Sequence, residues 1–257
     1  SIVLQGGNNG VGNEASIDAH GNQTLYVSGD VTVTGGASGG LFIPGFGTNG
    51  QIDNSASISA DGNQQLRIGG SLSLNGGGTL APTTSLAGAF VVAPAQDISV
   101  GGDLLLTGGS SSATATALTP LGANLASAAV IGWDSDASIQ LTVGNRFALT
   151  PGSGTGGGAY VGTINGSGST TIAVTAAQVQ LGSAAASPAA TGIGGLDGSN
   201  ATVNLRSTGS AGMSIGNGAF ILAGSGGTAT LAATGGGAIT LAGANIRGNQ
   251  VDLSSAG

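Results

Sequence analysis

The chain has 257 residues, of which 53 are glycine, 6% are charged, 3% are aromatic and none is cysteine, with a formal net charge of −7. Val, Ile and Leu recur in alternation within a 40% hydrophobic total, which excludes a flexible Gly/Ser linker, and the lack of a three-residue glycine period excludes collagen. There is no lysine, and the only cations besides His20 are Arg67, Arg146, Arg206 and Arg247, so a phosphate backbone is repelled and no nucleic-acid partner is expected.

The missing cysteines leave no disulfide staple and no thiolate metal site. The longest apolar run, Leu86 to Ala95, is too short to cross a bilayer as a helix. The chain opens at Ser1 without a methionine or a signal peptide, and we expect a processed or excised segment of a longer protein.

In chain order, the first recognisable unit is Ala15 to Gly36, ASIDAHGNQTLYVSGDVTVTGG. It returns as Ala56 to Gly77, ASISADGNQQLRIGGSLSLNGG, with 11 of 22 residues identical. Val27, Val31 and Val33 become Ile68, Leu72 and Leu74. Between them Asp18, His20, Tyr26 and Asp30 become Ser59, Asp61, Arg67 and Ser71. Positions two apart stay apolar while their neighbours vary, which is strand periodicity with one side inside. Shorter versions follow at Ile98 to Gly109, Leu141 to Gly152 and Met213 to Gly224. More degenerate ones stand at Ile172 to Leu181 and Ile239 to Leu253. Each reads as a short strand, a small or Gly corner, a second short strand and a Gly-rich turn.

Such strands are too short for an ordinary sheet, and the two-residue loops of hairpins are rare. Self-similarity at tens of residues predicts an all-β fold, one continuous parallel β-helix (β-solenoid) over residues 1–257 with short strands and Gly-rich corners. Strand neighbours then come from successive coils about 4.8 Å apart. The alignment predicts one internal ladder of Val27, Ile68, Val100 and Val143 and another of Val33, Leu74, Leu106 and Leu149. Repeat spacing predicts about 12 coils of about 20 residues, and a rod on the order of 60 Å long. The irregular stretches 37–55, 78–96, 110–134, 153–168 and 184–200 read as insertions on one side of the rod. Both ends look like mid-repeat sequence without a capping helix, so we expect them to be continued by more chain or docked on another subunit.

The motifs ASISADGNQQLRIGGSLSLNGG and GGGAITLAGANIRGNQVDLSSAG (Gly235 to Gly257) resemble the repeats of filamentous haemagglutinin-type exoproteins, two-partner-secreted adhesins of Gram-negative bacteria. The resemblance covers most of the chain as pattern. It implies a right-handed β-helix, export through an outer-membrane secretion partner, and a surface rod that displays adhesive regions.

The chemistry-bearing residues are sparse. Ten Asp and Glu14 are scattered along the chain, without the paired carboxylates of a glycosidase. The single His20 aligns with Asp61 and lacks the companions of a catalytic triad or a metal cluster. Asp134-Ser135-Asp136 offers oxygen ligands for Ca²⁺ but reads as a polar turn. Gly194-Gly195-Leu196-Asp197-Gly198 is similar to a calcium-binding nonapeptide, once and out of register. Gly-Asn-Gln recurs at residues 21–23, 62–64 and 248–250, either as a repeated carbohydrate contact or as corner caps and ladders. An ice-binding role is a remote alternative. Thr32 is matched by Ser73, Leu105 and Ala148, and Thr114-Ala115-Thr116 stands alone, so no threonine array continues. No enzyme activity, cofactor or metal is expected.

The few large apolar side chains outside the ladders lie in the inserted stretches: Phe42, Phe46, Phe90, Trp133 and Tyr160. They form either an apolar seam for lateral or ligand contact or the closure of wider coils. The sequence therefore predicts a secreted, non-enzymatic rod on a Gram-negative cell surface. It self-associates end to end or laterally into a filament; the alternative is a dispersed rod that binds a receptor or host and surface glycans.

Overall fold

A computed structural model describes residues 1–8, 13–36, 54–79, 87–111, 127–163, 170–187, 189–195 and 199–256. Among them the chain is all-β, with 24 strands and no helix. Two strands, Ser138–Thr150 and Thr170–Leu181, are long, and the others are short. The strands build a 14-stranded and an eight-stranded parallel sheet, with a two-stranded pair beside them. Adjacent strands in a parallel sheet cannot be joined by a tight turn. Here the connection between them runs through strands of the other positions, a path compatible with a β-helix or solenoid.

Three strand positions recur. The first face is the eight-stranded sheet, through Ala15–Ala19, Ala56–Ala60, Ala89–Val92, Ala128–Gly132, Ala159–Thr163, Thr191–Gly195, Ala219–Leu222 and Asn245–Arg247. The second face stacks Gln23–Val27, Asn63–Ile68, Ala95–Val100, the first halves of the two long strands, Ala201–Ser207, Thr228–Ala233 and Gln250–Ser255. The third stacks Ile2–Gln5, Val31–Thr34, Leu72–Asn75, Leu104–Thr107, the second halves of the long strands, Met213–Ile215 and Ile239–Leu241. The chain visits the faces in turn and then moves to the next level.

The described strands therefore form eight levels. One column of the first face shows them, Ile17, Ile58, Val91, Val130, Val161, Ile193, Ile221 and Ile246. Ile17 and Ile58, 41 positions apart in the chain, are direct register partners. At about 4.8 Å per level the stack is about 40 Å tall.

Both predicted internal ladders are in register: Val27 with Ile68, Val100 and Val143, and Val33 with Leu74, Leu106 and Leu149. A third column carries Leu25, Leu66, Ile98, Leu141, Val174, Leu205, Leu231 and Leu253. All of these side chains but Leu253, which is exposed on the last level, belong to one continuous core or pack against it, and Leu66, Leu74 and Ile98 are fully buried. Each such side chain stabilises by about 2 kcal/mol on burial, offset by the order it imposes. The first face packs its alanines in a column, Ala15, Ala56, Ala89, Ala128 and Ala159.

Corners are held in two ways. In the early levels a side-chain oxygen accepts a hydrogen bond from a backbone N–H of the next level. Asp30 Oδ1 accepts from Ser71 N at 2.8 Å, Ser71 Oγ from Asp103 N at 3.0 Å, and Asp103 Oδ1 from Arg146 N at 3.1 Å. Asn22 Oδ1 takes Asn63 N at 2.9 Å in the same manner. In later levels the chain turns through glycines of positive φ, as at Gly182 (φ 77°) and Gly236 (φ 80°).

Candidate functional site

Two surfaces stand out from the regular stack. The first is aromatic. On the outward side of the first face Phe90, Ala129, Tyr160, Gly192 and Phe220 occupy one column. Phe90 is only 6% exposed, packed with Ala129 and Ile131 and bordered by Val92 and Tyr160. Tyr160 and Phe220 have ring centroids 6.1 Å apart at a tilt of 35°. Gly192 lies between them in register, and a Cβ there would come within 2.0 Å of the Phe220 ring, so a side chain at that position would displace the aromatic. Burial pushes the Tyr160 hydroxyl above its ordinary pKa.

Of the five aromatics expected at a contact seam, the structure brings Phe90 and Tyr160 together. The Phe90 ring is closed off within its own chain, whereas Trp133 is 39% exposed in the turn after Ala128–Gly132. Phe42 and Phe46 lie outside the described residues. Phe220 joins the cluster although the sequence reading did not single it out. The signal was available: Ala219-Phe220-Ile221-Leu222 repeats the pattern of Ala89-Phe90-Val91-Val92.

The second surface is polar. A cleft of about 300 Å³ opens on the second face, lined by Asn63, Gln64, Gln65, Ala95, Gln96, Asp97, Ser138 and Gln140. Its shape follows from register. Ala95 sits between Asn63 and Ser138, and Asp97 between Gln65 and Gln140, so one small side chain leaves a dip among longer ones. The Arg67 guanidinium at its edge pairs with the Asp97 carboxylate and donates from Nη1 to the Asp97 carbonyl at 2.8 Å. Tyr26, 73% exposed, is the register neighbour of Arg67, and its hydroxyl lies 3.5 Å from Gln65 Oε1.

Behind the cleft runs a buried amide ladder. Gln64 Nε2 donates to Gln23 Oε1 at 2.9 Å and to Ile58 O at 3.3 Å. Gln96 Nε2 donates to Ile131 O at 2.8 Å. Gln64 and Gln96 keep their Oε1 atoms without a hydrogen-bond partner. The first Gly-Asn-Gln motif thus places Asn22 at a corner cap and Gln23 in the interior, and the second places Asn63 at the cleft and Gln64 in the interior. The third places Gln250 on the exposed last level.

The remaining candidates resolve into local structure. His20 Nδ1 lies 3.2 Å from Asp61 Oδ2 on the exposed corner of adjacent levels. Asp134 Oδ1 accepts from Ser135 N at 2.6 Å, and its carbonyl accepts from Ala137 N at 3.2 Å, a polar turn. Among the described residues no three His, Cys, Asp or Glu side chains group as metal ligands, and no helix is long and apolar enough to cross a membrane. Leu196–Gly198 and Thr114–Thr116 lie outside the described residues. Thr32 is in register with Ser73, and Leu105 with Ser73 and Ala148, so that column carries no threonine array. A different column on the second face holds Thr171, Thr202 and Thr228, bounded by Ser138 and Gln250.

No protein-family model, curated protein or solved structure matches this chain.

Proposed function

We propose that the chain is one continuous right-handed parallel β-helix, of the filamentous haemagglutinin type, that serves as an extracellular structural and adhesive rod on a Gram-negative cell surface. The observation that supports this reading is the in-register parallel ladder, in which strand after strand pairs with its equivalent in the next level. Backbone hydrogen bonds then run along one axis, and stability adds up level by level. A rod held in this way resists extension and proteolysis.

The rod self-associates head to tail into a filament. The last described level leaves Leu241, Val251 and Leu253 exposed beside strands paired on one side only. Ile2 and Leu4 belong to the same columns as Ile239 and Leu241, so a second copy continues the pattern. Export runs through an outer-membrane partner, as in the proteins whose repeats these resemble. The rod carries no enzymatic role: Asp30, Asp61, Asp97 and Asp103 are engaged with neighbouring levels.

A second reading, a dispersed rod that binds a receptor or glycan, draws on the polar cleft over Ala95. Negative-stain images of the purified chain separate the two. Fibres support the filament, dispersed short rods the second reading, and globular particles contradict both.

A further inference from the structure

The cleft over Ala95 is a built polar site, and we propose that it binds an uncharged saccharide of one or two pyranose units. The inference deepens the receptor-binding reading and rests on it. Size sets the first bound: about 300 Å³ is at the small end of ligand sites and suits a sugar ring or two.

Chemistry sets the second. The lining presents the amides of Asn63, Gln65 and Gln140, the Ser138 hydroxyl and the Asp97 carboxylate. An amide offers a donor and an acceptor side by side, which matches a sugar hydroxyl that both donates and accepts. Gln64 and Gln96, 2% and 3% exposed, stand in the inward column behind the cleft, so a ligand is met by the outward side chains of the lining alone.

Charge sets the third. The one carboxylate in the lining is already neutralised by Arg67, which also holds the Asp97 carbonyl. A sulfated or phosphorylated ligand therefore finds no free cation, and a cationic ligand finds no free anion. Beside the lining stands Tyr26, 73% exposed in the neighbouring column with its hydroxyl 3.5 Å from Gln65 Oε1, where a sugar reaching past Gln65 would meet it.

The test is a titration of the uniformly ¹⁵N-labelled chain with lactose, maltotriose, cellotriose and diacetylchitobiose, with a heparin tetrasaccharide as the charged control. At least one neutral sugar shifts the side-chain amide signals of Asn63, Gln65 and Gln140, with a dissociation constant on the order of 1 mM. Ala95→Phe, which fills the dip, and Tyr26→Ala each weaken that binding by about tenfold or more. Should Ala95→Phe fail to fold, Gln140→Ala on the exposed rim takes its place. The proposal is overturned if none of the four sugars shifts those amides, if heparin binds there equally well, or if the cleft variants bind as the parent does. Electron images of the same samples report on the rod separately. Intact rods without sugar binding remove the site alone, whereas sugar binding without rods removes the rod alone.

Discussion

Gln64 donates a hydrogen bond to Gln23 Oε1 at 2.9 Å, although the two lie 41 positions apart in the chain, and both side chains are buried. The column that begins Gln23, Gln64, Gln96 continues as Ile139, Ile172 and Val203, so amide and aliphatic side chains occupy equivalent places. A lone Gln64→Leu takes the donor from Gln23 Oε1 and costs about 1–3 kcal/mol. Replacing Gln23, Gln64 and Gln96 together by Leu removes the unpaired oxygens and brings stability back to within about 1 kcal/mol of the parent. Urea denaturation of the single and triple variants checks both values.

Glycine matters where backbones touch. A Cβ at Gly35 would lie 1.8 Å from the Ala87 carbonyl oxygen, whereas one at Gly21 meets nothing within 4 Å. Gly35→Ala is expected to destabilise by about 3 kcal/mol, since neither backbone can withdraw from a paired ladder. Gly21→Ala is expected to stabilise slightly, by about 0.4–1 kcal/mol, through the unfolded chain. Thermal melts of the two variants should therefore move in opposite directions.

Position along the stack sets the cost of a core deletion. Leu66 is fully buried in the second level, and Leu253 is 50% exposed in the same column of the last. Leu66→Ala should cost about 2–5 kcal/mol, and Leu253→Ala less than about 1 kcal/mol. Equal losses at the two sites would contradict the burial gradient.

Alkaline stability depends on Tyr160. Burial raises its hydroxyl pKa in the folded chain above the ordinary value of 10.0, so the unfolded chain releases the proton first. The unfolded state then binds fewer protons as pH rises, and folding stability falls. The contribution is complete below about pH 10 and is lost as pH climbs through the folded value. Melting temperatures between pH 8 and 11.5 should drop less steeply in Tyr160→Phe than in the parent.

The ladders were legible because the near-copies Ala15 to Gly36 and Ala56 to Gly77 act as an alignment of the chain with itself, and register follows wherever the inward side is apolar. Val27 over Ile68 over Val100 over Val143 needed no more than that. The interior Gln96 was not legible, since no Gly-Asn precedes it and a lone glutamine in a strand looks like an outward residue. The spacing of the levels follows no fixed period, with 41 positions from Ile17 to Ile58 and 25 from Ile221 to Ile246. Two corners were hidden as well, because Ser138–Thr150 and Thr170–Leu181 run past them as single strands, with a register shift between Val143 and Arg146. The cleft depends on Ala95 having longer neighbours on the levels either side, a relation that alternation within one strand cannot display.

The central claim is that the polypeptide stacks level upon level along a single axis. The absence of cysteine allows spin labels to be placed in pairs, and Thr32, Gln180, Ser214 and Thr240 share one outward column of the third face. Pulsed dipolar spectroscopy from Thr32→Cys to Cys at each of the other three positions should give a staircase of about 19, 24 and 29 Å between backbones. Three distances without that constant step of about 4.8 Å per level would contradict the stack.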